Sequence, residues 1–156
     1  MPLCKLADLP RLLPPGARLM GLDFGTRTIG IAVSDAALRV AAPVTIVRRR
    51  KFSIDAAEIA ALVESRNIGG FVAGLPLNMD GTEGPRVQST RDLVAELLLR
   101  IDLPCAFQDE RMSTRAVERA MIDEADLTRG KRRKAIDSAA AAWILQAALD
   151  AMPSPE

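Results

Sequence analysis

The chain has 156 residues, a formal net charge of +1 and 49% apolar side chains, which is the composition of one soluble globular domain. No apolar run approaches the ~20 residues of a membrane span, and the first residues lack a signal-peptide pattern, so we expect a cytoplasmic protein that does not bind a membrane. Histidine is absent, which excludes Ser-His-Asp and Cys-His nucleophile systems and His-containing zinc sites. Any acid-base or metal chemistry must use carboxylates, lysine or arginine.

The amino-terminal half predicts three strands after a leader. Residues 1 to 16 end in Pro14-Pro15-Gly16, so we expect a flexible leader, followed by a single domain over residues 17 to 152. The segments "ARLMGLDF", "TIGIAVSD" and "RVAAPVTIVR" read as strands with short connections. This spacing favours an antiparallel meander.

Helices and strands then alternate. The segments "SIDAAEIAALVESRN" and "PRVQSTRDLVAELLLRI" are typical of helices, and "GGFVAGLP" and "LPCAFQDE" of short strands. A further helix is predicted from Met112 to Leu127, and "KAIDSAAAAWILQAALDAM" predicts a closing helix with Trp143 on its core stripe. The whole pattern predicts an α/β fold with a five-stranded mixed sheet, antiparallel and then parallel, flanked by helices.

Carboxylates stand at the ends of these apolar elements. Asp23 lies at the end of the first strand, Asp109 and Glu110 at the end of the fifth, and Asp137 in the predicted first turn of the closing helix. Clustered carboxylates repel one another unless a cation neutralises them, and they select hard ions such as Mg²⁺ or Mn²⁺. Each acid taken alone is equally compatible with a solvated turn or, for Asp137, with a favourable charge at a helix amino terminus.

Four blocks of the sequence resemble the signature blocks of the YqgF family, also called RuvX. They are "GLDFGTRTIGIAVSD", "GLPLNMDGTEG", "FQDERMSTRAVERAM" and "KAIDSAAAAWIL", in that order. The resemblance implies a ribonuclease H-like fold and a metal-dependent nuclease acting on structured nucleic acid. It favours maturation of the 5′ end of pre-16S rRNA in ribosome biogenesis, on a ribosomal precursor particle, over cleavage of Holliday junctions or other branched DNA.

The resemblance also implies which residues form the site. Asp23, Glu110 with Asp109 adjacent, and Asp137 become the ligands of two Mg²⁺ or Mn²⁺ ions, and Asp23, Glu110 and Asp137 the catalytic carboxylates. Because side chains alternate along a strand, only one of Asp109 and Glu110 can share the side of Asp23, and we favour Glu110.

Polar and basic segments beside these acids predict contacts with nucleic acid. The loop "GLPLNMDGTEGPR" is too polar for a core. The basic run "RGKRRK" lies just before Asp137, where its cations would attract phosphate. The predicted contact residues are Asn78, Thr82, Arg86, Arg111, Lys131, Arg132, Arg133 and Lys134. The run "RRRK" at 48 to 51 is interpreted as a solvated hairpin end, and Cys4 and Cys105 as one loose and one buried thiol without a disulfide.

Two other classes of function stay open. The segment "DFGTRTIG" resembles the phosphate loop of actin-like and sugar-kinase-like ATPases, which close two such domains around ATP, whereas 156 residues supply one. A non-catalytic RNA-binding assembly factor is the second alternative. It is disfavoured because a pure binder gains nothing from acids that face phosphate.

Overall fold

A computed structural model of the chain describes residues 3–78, 80–109 and 129–152, with residues 129–138 described as backbone only. The strands are β1 (Arg18–Phe24), β2 (Thr28–Ser34), β3 (Ala41–Arg48), β4 (Ile68–Leu75) and β5 (Cys105–Asp109). After a 3-10 turn (Leu6–Asp8), the helices are α1 (Leu9–Leu12), α2 (Phe52–Ser65), α3 (Pro85–Arg100) and α4 (Arg129–Ala151). The helix predicted from Met112 to Leu127 lies outside the described residues.

The five strands form one mixed sheet in the order β3-β2-β1-β4-β5. The pairs β1–β2 and β2–β3 are antiparallel, and β1–β4 and β4–β5 are parallel. This topology confirms the predicted antiparallel meander followed by parallel strands. Because β1, β4 and β5 run in the same direction, they all end at one side of the sheet, which we call the carboxyl edge.

The alternation of side chains along β1 divides the core between the two faces of the sheet. Met20, Leu22 and Phe24 belong to a cluster covered by α2 and α3, here called the α2/α3 face. Leu19 belongs to a second cluster that includes Ala141, Ile144, Leu145 and Ala148 of α4, here called the α4 face. Helices therefore cover both faces of the sheet. Since β4 is an inner strand of this sheet, it is buried at all eight positions.

The described part of the leader packs against the α4 face rather than extending away from it. Leu9 is fully buried, and the Cys4 amide donates a hydrogen bond of 2.9 Å to the Cys105 carbonyl at the outer side of β5. Glycines of β4 make room for these contacts: a Cβ built on Gly70 would lie 3.1 Å from Leu13 and 3.3 Å from Leu9. The prolines indicated a flexible segment, whereas these leucines fill space that the glycines leave open.

Helix α4 differs from the sequence prediction in two respects. It begins at Arg129, so Asp137 is not in the first turn but lies well inside the helix. The basic residues extend the helix because lysine and arginine are good helix formers. Trp143, predicted as core, is 48% exposed, whereas Ala140, Ala141, Ile144 and Leu145 on the same helix are buried. No helix in the described ranges is long and apolar enough to cross a membrane.

The two thiols agree with the sequence prediction. Cys4 is half-buried, Cys105 is buried, and both are free. Burial raises the pKa of the Cys105 thiol to about 12, so this group stays protonated at neutral pH. A protonated thiol is a poor nucleophile and a poor metal ligand, so Cys105 is not a candidate for either role.

The contact between β1 and α4 gives the first testable prediction. A Cβ at Gly21 would lie 2.8 Å from the Leu145 Cβ and 3.0 Å from the Ala141 carbonyl oxygen. We expect Gly21→Ala to lower the free energy of unfolding by about 2 kcal/mol in urea titrations, because the helix must move away from the sheet. Ala42→Val on the exposed edge strand β3 adds more volume and should change stability by less than about 0.5 kcal/mol. Equal stability of Gly21→Ala and the parent chain would contradict this packing.

Candidate active site

Asp23 is the penultimate residue of β1 and lies at the carboxyl edge, half-buried. Alternation along the strand puts it on the α4 face, together with Leu19 and Gly21. In the antiparallel pair with β2 its partner is Gly30, which has no side chain. Asp23 is therefore a charged residue at the partly exposed end of the strand, whereas the four residues before it are buried.

The direction of α4 brings the position of Asp137 towards Asp23. The side-chain amide of Gln146 accepts a hydrogen bond from the Ala41 amide and donates one to the Arg39 carbonyl, both 2.9 Å, at the end of the sheet far from the carboxyl edge. The amino-terminal half of the helix therefore runs towards the carboxyl edge. Ala141 lies beside Gly21. From this contact, position 137 is one turn earlier in the helix, about 6 Å along its axis. Asp23 is two residues later in β1, about 6.6 Å along the strand. Both positions are therefore displaced from the contact towards the carboxyl edge, on the α4 face of the sheet.

Asp109 lies on the other face of the sheet. It pairs with Leu75, and its neighbour on the same face is Phe107, which packs against the α2/α3 cluster. Gln108 pairs with Gly74 and therefore lies on the α4 face, the face of Asp23. Of the two acids that end the strand, the described one, Asp109, is thus turned away from Asp23. Glu110 and Arg111 lie outside the described residues.

The loop between β4 and α3 contains Asn78 and Thr82, two predicted contacts to nucleic acid. The Asn78 side-chain amide donates to the Thr82 hydroxyl at 3.0 Å, and the Asn78 backbone amide donates to the Thr82 carbonyl at 2.9 Å. Asp80 accepts hydrogen bonds from the backbone amide and the hydroxyl of Thr82, at 3.0 and 2.6 Å. In this structure these side chains hold the loop in shape.

Arg86 lies beside a surface cleft of about 410 Å³ at the carboxyl edge. The cleft is between the β1–β2 turn and α3, on the α2/α3 face to which Phe24 belongs. We call it the Arg49 cleft, after the arginine that follows β3. It is lined by Phe24, Gly25, Thr26, Arg49, Arg86, Ser89, Thr90, Asp92 and Leu93.

Arg49 was not among the residues that the sequence predicted for the site. Its guanidinium Nη1 donates hydrogen bonds to the carbonyls of Gly25 at 2.8 Å and Thr26 at 3.4 Å, and its backbone amide donates to the Arg27 carbonyl at 2.8 Å. The next residue, Arg50, forms ion pairs with Glu58 and the fully buried Asp55. Half of the "RRRK" run is therefore engaged by the protein, and the interpretation as a solvated hairpin end was incomplete. The sequence feature that could have pointed to Arg49 is the run of four cations at the end of a strand.

Of the predicted metal ligands, the structure describes the side chains of Asp23 and Asp109, whereas Glu110 lies outside the described residues and Asp137 is described as backbone only. Within the described residues, no three acidic or cysteine side chains come close enough together to hold a metal ion. Lys131, Arg132, Arg133 and Lys134 belong to the first turns of α4 and are also described as backbone only.

The loop hydrogen bonds give a prediction that is separate from catalysis. Thr82→Val removes the hydroxyl that joins Asn78 to Asp80 while keeping the size of the side chain. We expect amide hydrogen exchange to become at least several-fold faster at Asn78, Gly81 and Thr82, whose amides are bonded within this loop. The free energy of unfolding should change by less than about 0.5 kcal/mol. Ser89→Ala on exposed helix surface is the control, and unchanged exchange in Thr82→Val would show that the loop does not depend on this network.

Three comparisons with known proteins agree with this architecture. The family model described as RuvX: Holliday junction resolvase matches residues 17–151. A Rhodospirillum rubrum protein is 51% identical over 97% of this chain and 94% of its own length, and a Phenylobacterium zucineum protein is 55% identical over 96% and 97%; both bear the name "Putative pre-16S rRNA nuclease".

Solved structures support the fold. RuvC of T. thermophilus, in complex with a Holliday junction substrate, superposes with a TM-score of 0.51 at 13% identity, covering 86% of this chain and 94% of that one. The Fowlpox virus resolvase, also with Holliday junction DNA, gives 0.50 at 9% identity, covering 85% and 98%. These similarities confirm the predicted ribonuclease H-like architecture. From the family match and the identity to its relatives, the chain belongs to the RuvX family.

Proposed function

We propose that the chain is a metal-dependent endonuclease that cuts structured RNA, and that it matures the 5′ end of pre-16S rRNA on a cytoplasmic ribosomal precursor particle. The observation that carries this proposal is the direction of α4. Its amino-terminal half, which contains position 137, runs towards the carboxyl edge of the sheet, where Asp23 lies. The choice of RNA over branched DNA is supported by the relatives more than 50% identical, whose name is that of a pre-16S rRNA nuclease.

The proposed metal ligands are Asp23, Glu110 and Asp137. Because Asp109 lies on the face opposite Asp23, we assign the neighbouring Glu110 and not Asp109 to the metal site. The three carboxylates and the absence of histidine fit an all-oxygen site for Mg²⁺ or Mn²⁺. Two bound ions would activate a water and neutralise charge that develops on the phosphate. The protein's own part is to hold three carboxylates, which would otherwise repel one another, at one edge of a rigid sheet.

Cations would bring the substrate to these acids. The basic run Lys131, Arg132, Arg133 and Lys134 precedes Asp137 in the half of α4 that runs to the carboxyl edge. Arg86 adds positive charge at the same edge, while Asn78 and Thr82 shape the loop beside it. Arg111, which follows the fifth strand in the sequence, is a further proposed phosphate contact. Contacts of this kind bind the phosphate backbone without reading sequence, which fits recognition of RNA by its shape.

The direct test is cleavage of a labelled RNA that carries the 5′ precursor segment of 16S rRNA, in Mg²⁺, Mn²⁺ or EDTA. We expect cutting with either metal, none with EDTA, and a loss of at least about 100-fold in Asp23→Asn, because a neutral amide would be a much weaker metal ligand than a carboxylate. Asp109→Asn is the matched control on the opposite face, and it should cut within about threefold of the parent chain.

Two results would contradict the proposal. Cutting of a four-way DNA junction without cutting of the RNA would favour resolvase activity. If neither substrate were cut while RNA binding was retained and unaffected by Asp23→Asn, the chain would be a binding protein, and the carboxylates would have another role.

A further inference from the structure

We infer that the Arg49 cleft binds a backbone phosphate of the substrate strand next to, but distinct from, the phosphate that is cut. This inference rests on the proposed function and adds a second anchoring point to it. Asp23 and Phe24 are consecutive in β1, but Asp23 lies on the α4 face and Phe24 lines the cleft on the α2/α3 face. A strand that crosses the carboxyl edge therefore meets the carboxylate on one side of the β1–β2 turn and the cleft on the other.

Arg49 provides a positive charge that is already held in position. Its Nη1 is fixed by the carbonyls of Gly25 and Thr26, which leaves the three N–H groups on Nε and Nη2 for another acceptor. Among the described residues, Arg49 forms no ion pair with a carboxylate. A half-buried guanidinium that the protein orients but does not neutralise is suited to a phosphate, which accepts two parallel hydrogen bonds from it.

Arg86 provides the second charge from the opposite wall. It is the second residue of α3, is exposed, and forms no ion pair within the described part of the chain. Backbone amides at the start of a helix add further positive potential there. The hydroxyls of Thr26 and Ser89 lie along the same cleft.

One carboxylate opposes this charge. Asp92 lines the cleft, and its Oδ1 accepts a hydrogen bond of 2.8 Å from the side chain of Gln88. Among the described residues that line the cleft, two arginines against one acid give a net positive charge. A single phosphodiester, with one negative charge, is therefore the matching ligand.

The test measures RNA binding in an Asp23→Asn background, which keeps the RNA intact. The probe is the labelled precursor RNA, titrated at several salt concentrations. Arg86→Gln and Arg49→Gln should each weaken binding about tenfold and reduce the slope of log K against log salt by about 0.7, the value for one single-strand phosphate contact. Arg100→Gln is the control: it removes a charge from the same helix, about 21 Å away along its axis, and should change neither quantity.

A second measurement locates the phosphate. The same RNA is prepared with one neutral methylphosphonate linkage at successive positions around the cut. The parent background should lose affinity at one linkage near the cut, and Arg86→Gln should lose nothing further at that linkage, because its phosphate contact is already gone. Additive losses at every linkage, or cleft variants that bind like Arg100→Gln, would overturn the inference.

Two features keep these outcomes distinct. Arg86 makes no contact with the β1–β2 turn among the described hydrogen bonds, so its variant tests the cleft even if Arg49→Gln loosens the turn. Binding by the inactive background also does not depend on catalysis. If Arg86→Gln cleaves RNA normally at subsaturating RNA concentration, the phosphate site in the cleft is contradicted and the proposed nuclease function stands. If the variants weaken binding but the parent chain cuts no RNA, the nuclease function is contradicted and the phosphate site stands.

Discussion

The contact of α4 with β1 at Gly21 is the constraint on which the site depends. With Leu145 and Ala141 where the Cβ of any other residue would be, the helix can approach the sheet at this point only because the strand has a glycine. Gln146, hydrogen-bonded to Arg39 and Ala41, fixes the far end of the same helix. Together these contacts set the direction of α4, so that its amino-terminal half, which contains position 137, runs towards the carboxyl edge.

The sequence predicted the sheet well because its strands are short, apolar and separated by clear turns. It was less successful where tertiary contacts decide the outcome. Asp137 was expected in a first turn, but the basic run continues the helix upstream to Arg129. Trp143 fits the apolar period of α4, yet Ala141, Ile144 and Leu145 form the buried side of the helix and Trp143 stays 48% exposed. Leu9 is buried against glycines of β4, a complementarity that cannot be read from the leader itself.

For the candidate site, the strand-end acids in a chain without histidine indicated carboxylate chemistry. Strand alternation predicted that Asp109 and Glu110 point to opposite faces, but not which of them shares the face of Asp23. The pairing register places Asp109 on the other face. Arg49 was missed because nothing in a run of four cations shows which one turns inward. Its role follows from two carbonyls of the β1–β2 turn, a contact between residues more than 20 positions apart. The turn that follows the proposed catalytic strand thus joins the carboxylate on one face to the arginines on the other.

The measurement that tests the central claim most directly is Mn²⁺ binding, followed by electron paramagnetic resonance of the free ion. If Asp23 and Asp137 converge on the α4 face, Asp23→Asn and Asp137→Asn should each weaken binding at least about tenfold, as expected for loss of a ligand. Asp109→Asn, on the α2/α3 face, should bind Mn²⁺ like the parent chain. Equal losses in Asp109→Asn and Asp23→Asn, or no loss in Asp137→Asn, would contradict the arrangement of carboxylates on which the proposed nuclease depends.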